Sequence, residues 1–217
     1  MKKAGIYAKY IKRILDIVLS LLFLTLFCWV YAIIAIMVRI NLGSPVLFKQ
    51  TRPGKDEELF EMIKFRTMSN ERGKDGNLLP DSQRLTRFGK WLRTTSCDEL
   101  PEVWLILMGK LSWIGPRPLS VLYLPYYTEY ERHRHDVRPG LSGLAQVNGR
   151  NLMTWEERFA YDIEYVNSIS FISDVKIFFR TIITILRHND IGERGIDAPV
   201  DFDEYRKKNN KLYSFER

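Results

Sequence analysis

The pattern of apolar and polar residues predicts a long membrane helix near the N-terminus. No residue between Ile17 and Val38 is charged, and a helix over this stretch extends about 33 Å at about 1.5 Å per residue, long enough to cross a bilayer. The stretch is too long for a typical signal peptide, and no small-x-small cleavage site follows it. The sequence therefore predicts a retained membrane anchor over residues 1–42.

The course of this anchor has two interpretations, an ordinary span with a short translocated tail and a re-entrant hairpin that returns to its side of entry. Basic residues flank both ends, among them Lys12 before the anchor and Arg39 after it, so the positive-inside rule does not choose an orientation. This charge symmetry favours the hairpin. The absence of Pro and Gly between Ile14 and Val38 counts against it, because a re-entrant helix needs a break.

Polar residues at the start of the anchor form a small group on one helix face. Asp16 is three residues from Arg13, close enough to pair with it, and Ser20 lies four residues further along the same face. The group either helps to hold a hairpin or is a simple interfacial ion pair at a helix end.

Downstream of the anchor the pattern predicts a small β-hairpin and two helices. Residues 45–51 and 59–65 alternate apolar and polar side chains around a turn-like segment rich in Pro and Gly, which is typical of a hairpin. Apolar residues from Leu85 to Leu92 recur at helical spacing between basic residues and predict an amphipathic helix. Ser96-x-x-Glu99 resembles a capping box that opens a further helix over residues 100–108.

The C-terminal third contains two apolar helical stripes. Trp155, Phe159, Ile163 and Val166 form one stripe, and residues 171–187 form a more apolar helix. The cations of the second helix, Lys176, Arg180 and Arg187, share one side of it. That helix either lies in the headgroup plane with its cations towards anionic lipid, or packs on the core as a surface helix.

Together these elements predict a mainly helical α+β protein in three parts. Residues 1–42 form the N-terminal membrane helix, with a re-entrant hairpin favoured over a full span. Residues 43–190 form one cytosolic catalytic domain with the small β-hairpin and amphipathic interfacial helices, and residues 191–217 form a polar C-terminal tail.

Composition and net charge limit the classes of molecule that the protein could bind. Of the 217 residues 46% are hydrophobic and the formal net charge is +7, which excludes a disordered chain. This charge suits nucleic acid, an anionic membrane face or a phosphorylated substrate, and the apolar segment favours the last two.

The candidate chemistry centres on the adjacent carboxylates Asp98 and Glu99. At a helix start Asp98 is expected to stay ionised, and a divalent cation would reinforce this. Neighbouring side chains on a helix point in different directions, so we expect one to act as nucleophile or metal ligand and the other as metal ligand or orienting group. Taken alone, such a pair is more often simple complementation of the helix dipole.

The segments around this pair are rich in arginine and in proline and glycine, which set unusual backbone conformations. Arg93 lies one turn upstream, Arg117 lies between Pro116 and Pro118, and Arg138 precedes a Pro-Gly pair. Arginine forks suit phosphate oxygens, while prolines and glycines shape loops that approach a ligand closely.

Several of these motifs carry a resemblance to a known family. They are Lys12-Arg13-x-x-Asp16 before an apolar segment, Gln50-x-Arg52-x-Gly54, Lys64-Phe65-Arg66-Thr67-Met68, Asp98-Glu99-Leu100-Pro101, Gly115-Pro116-Arg117-Pro118, Arg138-Pro139-Gly140 and Gln146-Val147-Asn148-Gly149-Arg150. In this order they resemble the bacterial sugar transferase family, the small monotopic phosphoglycosyl transferases.

The resemblance implies transfer of a sugar-1-phosphate from a UDP-sugar to undecaprenyl phosphate with Mg2+, releasing UMP, as the first membrane step of polysaccharide or glycan assembly. It implies that Asp98 is the nucleophile and forms a covalent phosphosugar intermediate, and that Glu99 joins Asp98 in holding the metal. It also implies that Arg93, Arg117, Lys64 and Arg138 bind phosphate or nucleotide, with Pro116 and Pro118 shaping the nucleotide pocket.

The resemblance further implies a place in the cytoplasmic (inner) membrane with the catalytic domain facing the cytoplasm, membrane lipids as partners, and no nucleic-acid partner. The chain departs from the family pattern in the anchor, where Cys28-Trp29 replaces the usual helix-breaking Ser-Pro. The sugar and the oligomeric state stay open, and a homodimer is compatible with the anchor. The alternative function is a membrane-tethered, non-enzymatic protein that binds nucleotides or polyanions.

Overall fold

The structure is a computed structural model that describes residues 5–149, 153–186 and 200–208. Its helices are α1 (Lys12–Leu42), α2 (Asp81–Arg84), α3 (Arg87–Thr94), α4 (Glu102–Met108), α5 (Glu129–Arg132), α6 (Leu144–Asn148), α7 (Trp155–Asn167), α8 (Phe171–Leu186) and α9 (Phe202–Lys208). Its strands are β1 (Leu47–Pro53), β2 (Leu59–Phe65), β3 (Ser112–Ile114) and β4 (Gly140–Ser142). The predicted mainly helical α+β fold with an N-terminal membrane helix is confirmed.

The anchor is one uninterrupted helix, α1, preceded by a wider turn over Tyr7–Ile11. Within the described ranges it is the single helix long and apolar enough to cross a membrane. It ends at Gly43, whose φ of 77° lies in the left-handed region that glycine adopts without strain. No interruption separates two halves of the helix, so the re-entrant course stays a prediction.

Both ends of α1 contact the unit formed by the chain that follows it. Near its start, Arg13 donates hydrogen bonds to the carbonyl oxygens of Ile106 (2.6 Å) and Leu107 (2.9 Å) at the end of α4. At its other end, Arg66 of the segment after β2 donates to the carbonyl oxygen of Leu42. The middle of the helix is exposed, and Trp29 there is 60% exposed. An exposed apolar middle between two anchored ends is the arrangement that lipid would cover.

The predicted hairpin is confirmed. Strands β1 and β2 pair antiparallel, with Leu47 opposite Phe65 and Pro53 opposite Leu59. The inner face of β2 packs on α4, because Phe60 and Met62 join Leu105 in one buried cluster. The hairpin therefore fixes the orientation of α4, which begins just after the candidate carboxylate pair.

The predicted amphipathic helix around Leu92 corresponds to α3, which lies unusually close to the strand segment beside it. A Cβ atom added to Gly89 would lie 1.8 Å from the carbonyl oxygen of Thr67, so only glycine permits this approach. Leu92 is fully buried in a cluster with Phe65 and Val38. Because of this packing, α3, β2 and the end of the anchor form one body.

Helix α8 has the character of an interfacial helix. Ile177 is buried, at 2% exposure, and Asp174 beside it accepts hydrogen bonds from Tyr165 and Lys12 (both 2.7 Å). A separate apolar face of the helix is exposed: Phe171, Ile172, Phe178, Phe179, Ile182 and Ile183. Of the predicted cations, Lys176 and Arg180 are exposed and Arg187 lies outside the described residues. One side of α8 thus packs on the core. The exposed apolar face favours a helix in the headgroup plane over an ordinary surface helix.

The C-terminal segment departs from the predicted polar tail. Residues 200–208 include α9, whose Phe202 is fully buried in an aromatic cluster with Tyr123, Tyr127, Trp155 and Phe159. The remainder of that predicted tail, residues 191–199 and 209–217, lies outside the described residues. The predicted stripe of α7 is confirmed at Trp155, Phe159 and Ile163, which are all buried. Tertiary burial of a single aromatic residue explains the difference, since the segment around Phe202 is polar.

Candidate active site

The carboxylate pair lies on a tight turn between α3 and α4. Ser96 has a φ of 56°, a left-handed conformation that costs free energy for a residue with a side chain, and residues Cys97–Glu99 form a single helical turn after it. The predicted capping box is wrong, because the Ser96 side chain makes no capping hydrogen bond and α4 begins at Glu102. The strained turn instead aims Asp98 and Glu99 into the site.

Glu99 lies between two cations from other parts of the chain. Lys64 of β2 donates to Glu99 Oε1 at 2.6 Å, and Arg117 donates to the same oxygen at 2.5 Å. These ion pairs hold the pKa of Glu99 far below its usual range against the opposing effect of burial, with Arg117 the larger contributor. Glu99 is therefore ionised at every physiological pH and ties the hairpin to the Arg117 loop.

Asp98 is buried, at 9% exposure, and its environment differs from that of its neighbour. Burial raises the pKa of Asp98 to about 6 and the adjacent charge of Glu99 adds to the rise, whereas Lys64, Arg93 and Arg117 oppose it. The sequence predicted that Asp98 stays ionised at the helix start; burial makes the carboxyl less acidic than an exposed aspartate. Asp98 is nevertheless mostly ionised at pH 7, and a less solvated carboxylate is a better nucleophile.

A third carboxylate, Glu102, belongs to the site and was missed in the sequence. It is 1% exposed, and its Oε1 lies 3.2 Å from Lys64 Nζ. Burial raises the pKa of Glu102 to about 7, the charge of Glu99 adds to the rise, and Lys64 opposes it. The signal that could have found it is its place one turn after Glu99 on the same helical segment.

Arg93 and the loop over Gly115–Pro118 complete the cationic side. Arg93 Nε donates to Thr67 Oγ1 at 3.0 Å, which holds the guanidinium near enough to Asp98 to lower the pKa of that carboxyl. Pro116 and Pro118 are both buried, and the carbonyl oxygen of Pro116 accepts a hydrogen bond from Gly140 N at 3.0 Å. The buried prolines fix the loop, so Arg117 is presented from a rigid support.

Arg134, which was not among the predicted site residues, also holds the Gly115–Pro118 loop by bonding to its backbone. Arg134 is 2% exposed, donates to Asp162 Oδ2 through Nε (3.0 Å) and Nη2 (2.7 Å), and donates through Nη2 to the carbonyl oxygen of Arg117 (2.7 Å). A buried bidentate pair of this kind positions the backbone it binds. Arg158 of α7, four residues before Asp162, adds another guanidinium close to this group.

Not every predicted residue is brought to the carboxylates. Arg138 Nε donates to the carbonyl oxygen of Gly109 at 2.9 Å, just past the end of α4, whereas Asp98 lies before its start. Asp16 accepts hydrogen bonds from Ser112 Oγ (3.1 Å) and Trp113 N (3.2 Å), and Ser20 is fully buried. Of the predicted anchor residues, Arg13 also binds the end of α4, so this set fixes the membrane helix to the unit.

The donor set around Asp98 suits magnesium. Mg2+ in proteins is commonly held by one or two carboxylates together with substrate phosphates. Asp98 and Glu99 supply two carboxylates. Burial and, after it, the charge of Glu99 raise the pKa of Asp98, and a bound cation would oppose this rise. Among the described residues no group of three or more His, Cys, Asp or Glu side chains forms a metal cluster, so phosphate ligands from a substrate would have to complete the shell.

The raised pKa of Asp98 predicts an acid limb in the activity profile. The family resemblance implies that ionised Asp98 is the nucleophile, and with that role kcat/KM is expected to be level above pH 7 and to fall about tenfold from that plateau by pH 5. Rates of product release measured from pH 5 to pH 8.5 at fixed ionic strength check this, with far-ultraviolet circular dichroism at each pH to show that the fold persists. A profile that stays level to pH 4.5 contradicts the assignment.

Comparison with known proteins gives consistent matches over most of the chain. Residues 7–188 match the family model described as bacterial sugar transferase. A Bacillus subtilis protein named uncharacterized sugar transferase EpsL is 46% identical over 176 residues, which cover 81% of this chain and 87% of that protein. A UDP-glucose:undecaprenyl-phosphate glucose-1-phosphate transferase of Caulobacter vibrioides is 37% identical, over 81% of this chain and 69% of its own length. The galactosyl transferase CpsE of Streptococcus agalactiae is 35% identical, over 81% of this chain and 42% of its own length.

Proposed function

Because this chain belongs to the bacterial sugar transferase family, we propose that it transfers a sugar-1-phosphate from a UDP-sugar to undecaprenyl phosphate and releases UMP. Relatives named for glucose-1-phosphate transfer and for galactosyl transfer support a UDP-hexose or a derivative of one as the donor. The observation that carries the proposal is the buried carboxylate Asp98 next to Glu99, on which Lys64 and Arg117 meet, with the charges of Lys64, Arg93 and Arg117 lowering the pKa of Asp98. A reactive anion surrounded by cations suits attack on a phosphate.

The first half of the reaction is a displacement at the sugar-side phosphorus of the donor. A carboxylate oxygen of Asp98 forms a bond to this phosphorus, and the bond between phosphorus and the bridging oxygen breaks, so that UMP leaves with the electron pair. Arg117 and Arg93 bind the oxygens on which negative charge gathers. Glu99 keeps Arg117 and Lys64 in place through its two ion pairs.

The second half returns the enzyme to its starting state. An oxygen of the lipid phosphate bonds to the same phosphorus and the bond to Asp98 breaks, which gives the lipid diphosphate sugar and restores the carboxylate. When bound by Asp98, Glu99 and the diphosphate, Mg2+ supplies charge neutralisation that lowers the repulsion between the anions. Dividing the transfer into two steps lets one site use each anionic substrate in turn.

The test is a UMP-release assay on full-length protein in nanodiscs, run over a panel of UDP-sugars with undecaprenyl phosphate. We expect UMP in stoichiometric yield with lipid-linked sugar for one donor or a few, and loss of turnover when Mg2+ is chelated. Binding of nucleotide without turnover for any donor would favour the non-enzymatic alternative and refute the proposal.

The anchor would hold the protein in the cytoplasmic membrane with the catalytic unit on the cytoplasmic side. Arg13 near the start of α1 and Leu42 at its end both bond to the catalytic unit. A helix that crossed the bilayer would place these residues on opposite faces, so the shared contacts support a monotopic arrangement in which both ends of α1 lie on the side of the catalytic unit. This geometry also confines the lipid phosphate near the site.

Cysteine labelling tests this arrangement. Tyr10 and Ile40, both exposed in the structure, are replaced singly by cysteine in a Cys28→Ser, Cys97→Ser background. A membrane-impermeant maleimide is expected to label both positions in inverted vesicles and neither in intact spheroplasts. Labelling of the two positions from opposite sides would show a full span.

A further inference from the structure

The C-terminal segment Val200–Lys208 lies outside the range matched by the family model, residues 7–188, yet it is tightly packed on the core. The Phe202 ring is fully buried, and its centroid lies 5.0 Å from that of Phe159, 5.3 Å from Trp155 and 5.4 Å from Tyr127, with which it stacks. Such ring pairs favour defined geometry as well as burial.

Polar bonds fix the same segment to the surface of this aromatic cluster. They are Trp155 Nε1 to the carbonyl oxygen of Val200 (2.9 Å), Tyr123 Oη to Asp201 Oδ1 (2.8 Å), and a buried ion pair of Arg206 with Glu131. Tyr123 lies in the turn Val121–Tyr126, shortly after the loop that carries Arg117. The segment therefore packs directly against the support of that loop.

One chain of contacts leads from Phe202 to Arg117. The Tyr127 ring is stacked on Phe202, and its centroid lies 5.8 Å from the guanidinium carbon of Arg134. The Tyr127 hydroxyl oxygen accepts a long hydrogen bond from Arg134 Nη1 (3.4 Å). Arg134 Nη2 in turn donates to the carbonyl oxygen of Arg117 at 2.7 Å. Displacement of the Tyr127 ring would remove one side of the pocket that holds Arg134.

A second chain of contacts leads to Arg158. Its guanidinium carbon lies 4.7 Å from the centre of the Trp155 ring. The Trp155 ring in turn packs against Phe202 in the aromatic cluster. Burial lowers the pKa of Arg158, Asp162 raises it, and the guanidinium groups of Arg134 and Arg117 lower it further. Stacking on Trp155 holds this cation close to others of the same sign, as an anion-binding region requires.

We propose that the segment Val200–Lys208, through Phe202, is a positioning element that holds Arg117 and Arg158 in place for the diphosphate of the nucleotide donor. The inference rests on the proposed function, because it assigns the two arginines to donor binding. Phe202 is fully buried and acts through Tyr127 and Trp155.

The test compares Phe202→Leu and Phe202→Ala with the wild type as full-length protein in nanodiscs. Leucine keeps most of the apolar volume but removes the flat ring, and alanine removes both. Tyr205→Phe is the matched control on α9, because it removes only a hydroxyl that bonds to the exposed Glu156. For each protein the Kd for UDP, the KM and kcat for the best UDP-sugar, and the thermal unfolding midpoint are measured.

We expect Phe202→Leu to raise the Kd for UDP and the donor KM about fivefold and Phe202→Ala to raise them more, with kcat lowered in the same order because Arg117 also stabilises developing charge, and with Tyr205→Phe unchanged. A lowered unfolding midpoint with unchanged Kd and KM would show that the segment only stabilises the fold, and would overturn the proposal. If Phe202→Ala does not fold, Phe202→Leu decides by the same criterion. If the wild type binds UDP but turns over no donor, the proposed function fails while the Kd comparison still judges the segment.

Discussion

Asp98→Asn is expected to abolish UMP release, with turnover reduced by about a thousandfold or more, because an amide cannot form the bond to phosphorus that the carboxylate forms. The wild type incubated with the UDP-sugar alone should show a mass increase of one phosphosugar located at Asp98, and the variant should show none. Intact-mass and peptide mass spectrometry, together with the UMP-release assay, measure both effects.

Two further observations make this result specific. Because burial raises the pKa of Asp98, the folded state carries a cost for the ionised form above about pH 6, and the neutral Asn variant should therefore unfold at a higher temperature at pH 7.5. Cys97→Ser, adjacent in sequence, should keep nearly full turnover, which excludes the thiol as nucleophile. Comparable turnover by Asp98→Asn, or an adduct at another residue, contradicts the mechanism.

Arg117→Ala is expected to lower kcat/KM by about a hundredfold to a thousandfold, the range seen when a preorganised group that stabilises developing charge is removed. The side chain is 38% exposed and lies 2.5 Å from Glu99, so it can reach a substrate phosphate while staying oriented. Arg117→Lys should lie between the wild type and Arg117→Ala, because lysine keeps the charge but loses the fork. Steady-state kinetics with varied donor concentration measure the effect.

Lys110→Ala is the control for loss of a positive charge. Lys110 is exposed and pairs with the exposed Glu58, so kcat/KM should change less than twofold. If Arg117→Ala were no worse than this control, the phosphate-binding role of Arg117 would be refuted.

The strands and helices could be predicted from the local pattern because the apolar residues of each recur with the period of a strand or of a helix. The alternation in residues 59–65 fixes which side chains of β2 share a face, and the structure buries Phe60 and Met62 on one face as that period requires. Phe65 lies on the opposite face and is buried by tertiary packing against α1 and α3. The stripe of α7 follows the same logic with helical spacing. The uncharged run of the anchor similarly appears as one long helix.

The candidate site was predicted in part. The carboxylates and Arg117 could be read from the sequence because charged residues beside Pro and Gly are conspicuous. Glu102 and Arg134 could not be identified as site residues in this way, because in the sequence each resembles an ordinary surface charge. Only the folded structure shows that both side chains are buried. Arg138 lies past the far end of α4, where it donates to the carbonyl oxygen of Gly109, so its role in phosphate binding stays a prediction.

By itself the sequence determined the membrane anchor, the hairpin, the helical stripes and the residue types of a phosphate-transfer site, since these depend on period, composition and short-range spacing. Only the tertiary structure decided that Lys64 and Arg117 both form ion pairs with Glu99. It alone also decided that Asp98 is buried enough to raise its pKa, and that Phe202 is buried in an aromatic cluster with Tyr127 and Trp155. These contacts join residues far apart in the chain, and their strength depends on the exclusion of water, which no local pattern records.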